Sequence, residues 1–250
     1  MSKYYYDLHI HSCLSPCADD DMTPNNICGM AMLQGLNIVA LTDHNTCGNC
    51  ETFLKVAKKH GLIGIAGMEL TTAEDIHIIC LFEHVEKAAK FSDEVQKYRL
   101  SFPNNVKLYG QQMYMDEEDN VTRVEENFLP MATTLGLEDA VNLALSFDAV
   151  CYPAHIDRMA NGIVAILGTI PESPDFSCIE FNSAEDIEKY KKDYPGICGK
   201  ASVINSDAHN LWSINEAVNC IELDDEPYSS EKVRHELFKV LRGVKESNSK

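Results

Sequence analysis

Positive charge is in short supply in this chain. Its 250 residues carry 21 Lys plus Arg against 39 Asp plus Glu, a formal net charge of −18 at pH 7. No lysine or arginine cluster interrupts that surplus, so most of the surface repels a phosphate backbone and a nucleic-acid partner is not expected. No apolar run approaches a membrane span, and the opening MSKYYYDLHIHS holds none long enough for a signal peptide. The expected compartment is therefore the cytoplasm, with no membrane partner. Its ten cysteines then read as reduced thiols and not as a disulfide framework. Linkers rich in Pro, Gly or Ser, low-complexity tracts and internal repeats are also missing. A chain of this length without them suits one domain, 1–250, with a sizeable core. The glycine patterns of phosphate loops and dinucleotide folds do not occur, which argues against the doubly wound nucleotide enzymes. Nothing in the pattern reports an oligomeric state.

What is present is a rhythm of short strand-like and helix-like stretches. Strands are predicted at YYYDLHI, NIVALTDH (37–44), LIGIAGMEL (62–70), HIICLF (77–82), AVCYPAHI (149–156), CIEFNS (178–183) and ASVINSD (201–207). Several are apolar nearly throughout, as in strands covered on both faces. Helices are predicted at TPNNICGMAMLQG, ETFLKVAKKHG, LEDAVNLALSF and SSEKVRHELFKVLRG, from capping signals and apolar spacing. This alternation predicts an α/β fold, and without the nucleotide glycine patterns a barrel is favoured. Residues 84–135 break the rhythm with a helix and an acidic hairpin around Glu118–Asn120, and read as an insertion near the rim.

The polar residues fall at strand ends. His9 and His11 close the first strand, and an i, i+2 pair on a strand projects from one face. Asp43 and His44 close the second and Glu69 the third, while His155 and the pair Asp207 and His209 close later ones. His77 opens its strand, so an antiparallel turn after Glu69 is needed to return it to the same rim. Strand ends of α/β barrels converge where sites form. Six histidines and three carboxylates gathered there would be costly as unpaired charges, and divalent cations satisfy them. Imidazole with carboxylate is the ligand mix of zinc, manganese or iron, and the set suffices for two or three ions. His60, His84 and His235 sit among surface lysines and glutamates and are assigned no role. Asp43 reads as an acceptor orienting an imidazole.

DLHIHS, ALTDH, GMEL with DIHIICLF, PAHIDR and NSDAH resemble, in order, the motifs of the polymerase and histidinol phosphatase (PHP) superfamily, over residues 7–209. The resemblance implies a distorted (β/α)7 TIM-like barrel with a two- or three-metal cluster at its C-terminal rim. It implies that His9, His11, Glu69 and Asp207 hold a first metal. Glu69 bridges to a second with His77 and His155, and His44 and His209 belong to a third. The reaction implied is hydrolysis of a phosphate ester by a hydroxide bridging the metals, with Glu69 and Asp207 at the reacting centre. Arg158 suits a phosphate clamp, since a guanidinium cannot ligate a cation.

The chain departs from the family where a further third-site His or Asp is due. The segment reads SCLSPCADDDMTP; counting back from Thr23-Pro24 favours Asp19, and counting forward from His11 leaves Cys17 as its rival. CGNC (47–50) has no second CxxC and reads as plain loop or helix-start thiols. The expected substrate is a small phosphorylated molecule, because the acidic hairpin MDEEDN opposes a polyanion. The competing readings are a histidinol-phosphate phosphatase, a nucleotide phosphodiesterase or exonuclease, and a catalytically silent metal-binding regulatory domain. An amidohydrolase would carry a lysine where Glu69 stands.

Overall fold

The structure is a computed structural model that describes residues 1–244; of the expected single domain, residues 245–250 lie outside the described residues. Strands β1 (Ser2–Ile10), β2 (Ile38–Leu41) and β3 (Ile63–Thr71) run parallel, connected through α1 (Pro24–Leu33) and α2 (Cys50–Lys59). Thr23 caps α1, its hydroxyl accepting from Asn26 N, and Pro24 fills the first turn. Lys58 and Lys59 close α2 against its negative end. Both β2 and β3 are buried at every position, so their unbroken apolar runs reflect cover on both faces.

The chain then reverses. β4 (His77–Phe82) pairs antiparallel with β3, setting His77 opposite Thr71. The required return of His77 to the rim is therefore made by a hairpin. After α3 (Val85–Val95), α4 (Val106–Tyr109), the ribbon β5 (Met113–Met115) with β6 (Val121–Val124), and α5 (Leu137–Ser146), strand β7 (Val150–Pro153) pairs antiparallel with β4. α6 (Ile163–Leu167) leads to β8 (Cys178–Phe181), α7 (Ile187–Asp193) and β9 (Ala201–Ile204), with β8 and β9 parallel. β10 (Cys220–Leu223) and α8 (Ser230–Leu241) follow.

The main sheet has the order β10-β1-β2-β3-β4-β7, and β8 lies beside β7. Past the end of β9, His11 N donates to Ala208 O at 3.0 Å, beside the parallel bridge of Ile10 with Ala208. That contact brings the last wall back to the first strand, and the sheet curls into the distorted TIM-like barrel expected. Two differences appear. The strands at 37–44, 149–156, 178–183 and 201–207 are shorter than predicted, and beyond two of their ends His155 and Asp207 turn into left-handed backbone. The edge strand β10, half exposed and antiparallel to Ser2–Tyr5, lacks the apolar run that marks a buried strand.

One face of the strands packs on α1, α2, α3 and α5 through Ile27, Phe53, Phe91 and Val141. The other packs on α8 through Val233, Leu237 and Phe238. The hairpin forms as predicted, with Asp116 Oδ1 accepting from Asn120 N at 2.8 Å and Asp119 at φ 58 in the left-handed region. Asp116, Glu117 and Asp119 are engaged within the molecule. Asp119 accepts from the Thr23 hydroxyl at 2.6 Å and from Asn25 Nδ2 at 2.9 Å, at the N-terminus of α1. Glu117 meets Lys59 at 2.8 Å and Lys55 at 3.5 Å.

Candidate metal centre

His9 and His11 leave the end of β1 fully buried, with their Nε2 atoms 3.1 Å apart. Asp207 Oδ1 stands 3.1 Å from each, and the Glu69 oxygens lie 3.4 Å from His9 Nε2 and 3.3 Å from His11 Nε2. Tetrahedral bonds of about 2.05 Å place neighbouring ligand atoms about 3.3 Å apart, so these edges match a first-row divalent ion. Around the same Glu69 carboxylate, His77 Nδ1 is 2.7 Å and His155 Nε2 3.1 Å from Oε1, and His44 Nδ1 is 3.0 Å from Oε2. His44 Nδ1 and Glu69 Oε2 are that close, yet neither is in a hydrogen bond. Buried polar atoms that converge without bonding each other point to a shared cation. Ligand-capable groupings among the described residues are His9, His11, Glu69 and Asp207; His44, Glu69 and His77; and His11, His44 and His209. The residues present therefore fit divalent metal ions.

Electrostatics run the same way. Burial alone would lower the His9 imidazole, but Glu180, Asp207 and Glu69 lift it well above its ordinary value. Against the same burial, Asp207 and Glu69 raise His11 to about 9. Burial would likewise raise Glu69, yet His77, His9 and His44 hold it well below the usual carboxylate range. His209 is pushed down to about 3 by burial and then by His11. His155 (φ 27) and Asp207 (φ 53) occupy left-handed backbone that costs a non-glycine residue about 1–3 kcal/mol. The fold holds both in place to aim them inward.

Sequence reasoning missed the supports behind these side chains. Glu180, fully buried on β8, accepts from His9 Nδ1 at 2.8 Å and from His155 N at 3.0 Å, while Asn205 Nδ2 holds its second oxygen at 2.7 Å. The signal was a lone carboxylate in a strand covered on both faces. Asp43 acts on His11, not only on its neighbour His44. It accepts from Ser12 and Ser15, and the Ser15 hydroxyl lies 3.0 Å from His11 Nδ1 and accepts from His44 N at 3.2 Å.

The third-site candidates are placed differently. Asp19 is exposed, and its backbone N, not its carboxylate, meets the cluster by donating to His209 O at 2.8 Å. The tight turn in which Ala18 N bonds Ser15 O is what swings it outward. Cys17, also exposed, lines a cavity beside His44. Neither belongs to the groupings given above. Arg158 Nη1 pairs with Asp207 Oδ2, and its guanidinium, half exposed, lines a 150 Å³ cavity with His44, Glu69, His77, His155 and His209. Cys47 and Cys50 are buried free thiols that both donate to Gly67 O, at 3.2 and 3.3 Å, away from the ligand cluster.

An α/β barrel with a histidine- and carboxylate-rich metal centre at its rim is the class this geometry defines. The chain belongs to the PHP domain family, whose family model matches residues 7–180. A stretch of 79 residues, 30% of the chain, is 37% identical to 28% of a 5′-3′ exoribonuclease of Haemophilus influenzae. In structure the chain is similar to a lesion-specific endonuclease of Pyrococcus furiosus, with TM-score 0.65 and 20% identity, over 98% of this chain and 57% of that one. It is also similar to a protein of Bifidobacterium adolescentis described as a metal-dependent phosphoesterase, with TM-score 0.57 and 17% identity, over 96% and 97%. The chain thus spans under two thirds of the exoribonuclease and of the endonuclease. Among the described residues no helix is long and apolar enough to cross a membrane.

The expectation that nucleic acid is not a partner is corrected here. Endonuclease Q of the same fold has been seen with a 27-mer duplex substrate carrying an abasic lesion at its active site. The expectation rested on net charge and on the acidic hairpin. Net charge averages over the whole surface, and within the hairpin Glu117 is held by Lys55 and Lys59 and Asp119 by Thr23 and Asn25.

Proposed function

We propose that this chain is a metal-dependent hydrolase of phosphate esters acting on a nucleotide or on the end of a nucleic-acid strand. The observation that carries it is the convergence of His9, His11, Glu69 and Asp207 at ligand-edge spacing beside the exposed guanidinium of Arg158. His9, His11, Glu69 and Asp207 would hold one cation; Glu69 reaches a second with His77 and His155, and His44 and His209 lie where a third would be held. Divalent cations there supply Lewis acidity and an ionised water at neutral pH. Arg158 grips a phosphoryl oxygen and turns phosphorus toward the cluster. Glu180 and Ser15 keep the His9 and His11 rings from rotating as charge builds. Water oxygen joins phosphorus, the ester P–O bond breaks, and the alcohol leaves with the proton. The nucleotide part of the reading draws on the exoribonuclease and endonuclease likenesses.

Metal content of protein purified without added metal, with hydrolysis of small phosphate monoesters and diesters before and after chelation, tests this reading. Two or three ions per chain and chelator-sensitive turnover are expected, and Glu69→Gln should lose both. A fully metallated and active Glu69→Gln protein would sink the bridging role of Glu69. Metal-free protein that no added cation activates would return the chain to a silent domain.

A further inference from the structure

The insertion does more than flank the rim. Leu108, Tyr109, Phe128 and Pro130 from it, with Pro16 from the first site loop, enclose a 420 Å³ cavity. His44 and His77, two of the clustered imidazoles, form its inner wall, so an occupant lies within one phosphodiester's reach of the cluster. Its floor is aromatic. The Tyr109 and Phe128 rings are 4.4 Å apart, and Phe102 meets Phe128 edge-on at 6.3 Å. Apart from the two imidazoles, no ionisable group among the described residues lines the cavity except the Cys17 thiol and the Tyr109 phenol.

The position of this wall is built in. Gly110, at φ 91, sits so near Pro16 O that a Cβ would approach it to 2.8 Å. Met113 N donates to Cys13 O at 2.9 Å, and Asn49 Nδ2 donates to Met113 O at 3.0 Å. The insertion is thereby clamped onto the loop that follows His11. Flat, uncharged and phosphate-adjacent is the description of a nucleobase. Ring faces of this kind bind bases by stacking, with tolerance for sequence.

We infer that this cavity is a nucleobase subsite, with Tyr109 and Phe128 stacking the base of a nucleotide whose phosphate lies at the metal centre. The inference rests on the proposed phosphoesterase reading for the phosphate alone. Burial of one planar base also explains how an acidic protein selects nucleotides without a basic groove.

Calorimetric binding of adenosine 5′-monophosphate and ribose 5-phosphate, to wild type, Tyr109→Ala and Tyr109→Trp, tests it without needing turnover. Wild type should bind the base-bearing probe about tenfold or more tightly. Tyr109→Ala should remove that preference while leaving ribose 5-phosphate binding and bound metal as they were, and Tyr109→Trp should restore it. Equal affinity of wild type for the two probes overturns the subsite, as does equal loss on both in Tyr109→Ala. Absence of ester hydrolysis alongside a base preference would overturn the reaction and keep the subsite.

Discussion

Glu180 shows how a side chain behind the cluster governs those within it. It is the partner that fixes the His9 ring and, through His155 N, the loop after β7. Glu180→Gln should weaken divalent-metal affinity about 10–100-fold while the far-UV circular dichroism stays unchanged, the usual cost of losing such an orienting acceptor. A chelator-competition titration reads this directly, and an unaltered affinity would remove Glu180 from the site. Arg158→Ala should lower kcat/KM for phosphate esters about tenfold or more, since hydrogen bonds to charged groups contribute about 1.5–3 kcal/mol. Metal content measured on the same sample separates a lost clamp from a disturbed Asp207. The sequence made the clustered histidines legible because a period of two on a strand has one geometric meaning. Glu180 was hidden in CIEF, where a single carboxylate looks like an outward-facing strand residue until β1 is seen across from it.

At the scale of elements, the reversal between β3 and β4 decides the chemistry. A parallel crossover after Glu69 would have sent His77 to the opposite end of the barrel. The hairpin register of Thr71 with His77 instead brings His77 Nδ1 to 2.7 Å from Glu69 Oε1. That reversal was inferable only from the demand that His77 reach the rim, since local propensities are the same for either direction. β10 was not inferable, because an edge strand carries half the burial and half the pattern. The start of α2 gives a separate test. Burial pushes the Cys13 and Cys28 thiols up to about 12 and Cys47 well above its usual value. A raised thiol pKa means less thiolate, so at pH 8 these groups are almost wholly protonated and unreactive. Iodoacetamide at pH 8 should label exposed Cys17, Cys198 and Cys220 in the native protein, and Cys13, Cys28 and Cys47 only after denaturation. Rapid native labelling of Cys47 would show that α2 opens.

For the whole molecule, 18 surplus negative charges oppose compaction and concentrate where the carboxylates of the rim add to them. Cations bound to the folded state alone raise stability by about 2.7 kcal/mol at a hundredfold excess over Kd. For a chain of this size that corresponds to about 5–10 °C in Tm. Exhaustive chelation should lower the calorimetric Tm by that amount, and stoichiometric zinc or manganese should restore it where sodium chloride does not. A Tm indifferent to chelation would mean that the cluster holds no ion at equilibrium. Fold class was legible from alternation and from missing glycine motifs; the partner was not, because charge read as a total says nothing of where the charges are neutralised.

The contact of His11 N with Ala208 O joins positions nearly two hundred residues apart, and the cluster draws its side chains from both. Assembly is therefore a late event in the life of each polypeptide. During synthesis His9 and His11 leave the ribosome first and wait for Asp207 and His209, so no nascent intermediate holds the complete ligand set. Completion of the ligand set, and with it phosphate-ester hydrolysis, is withheld until the barrel has shut.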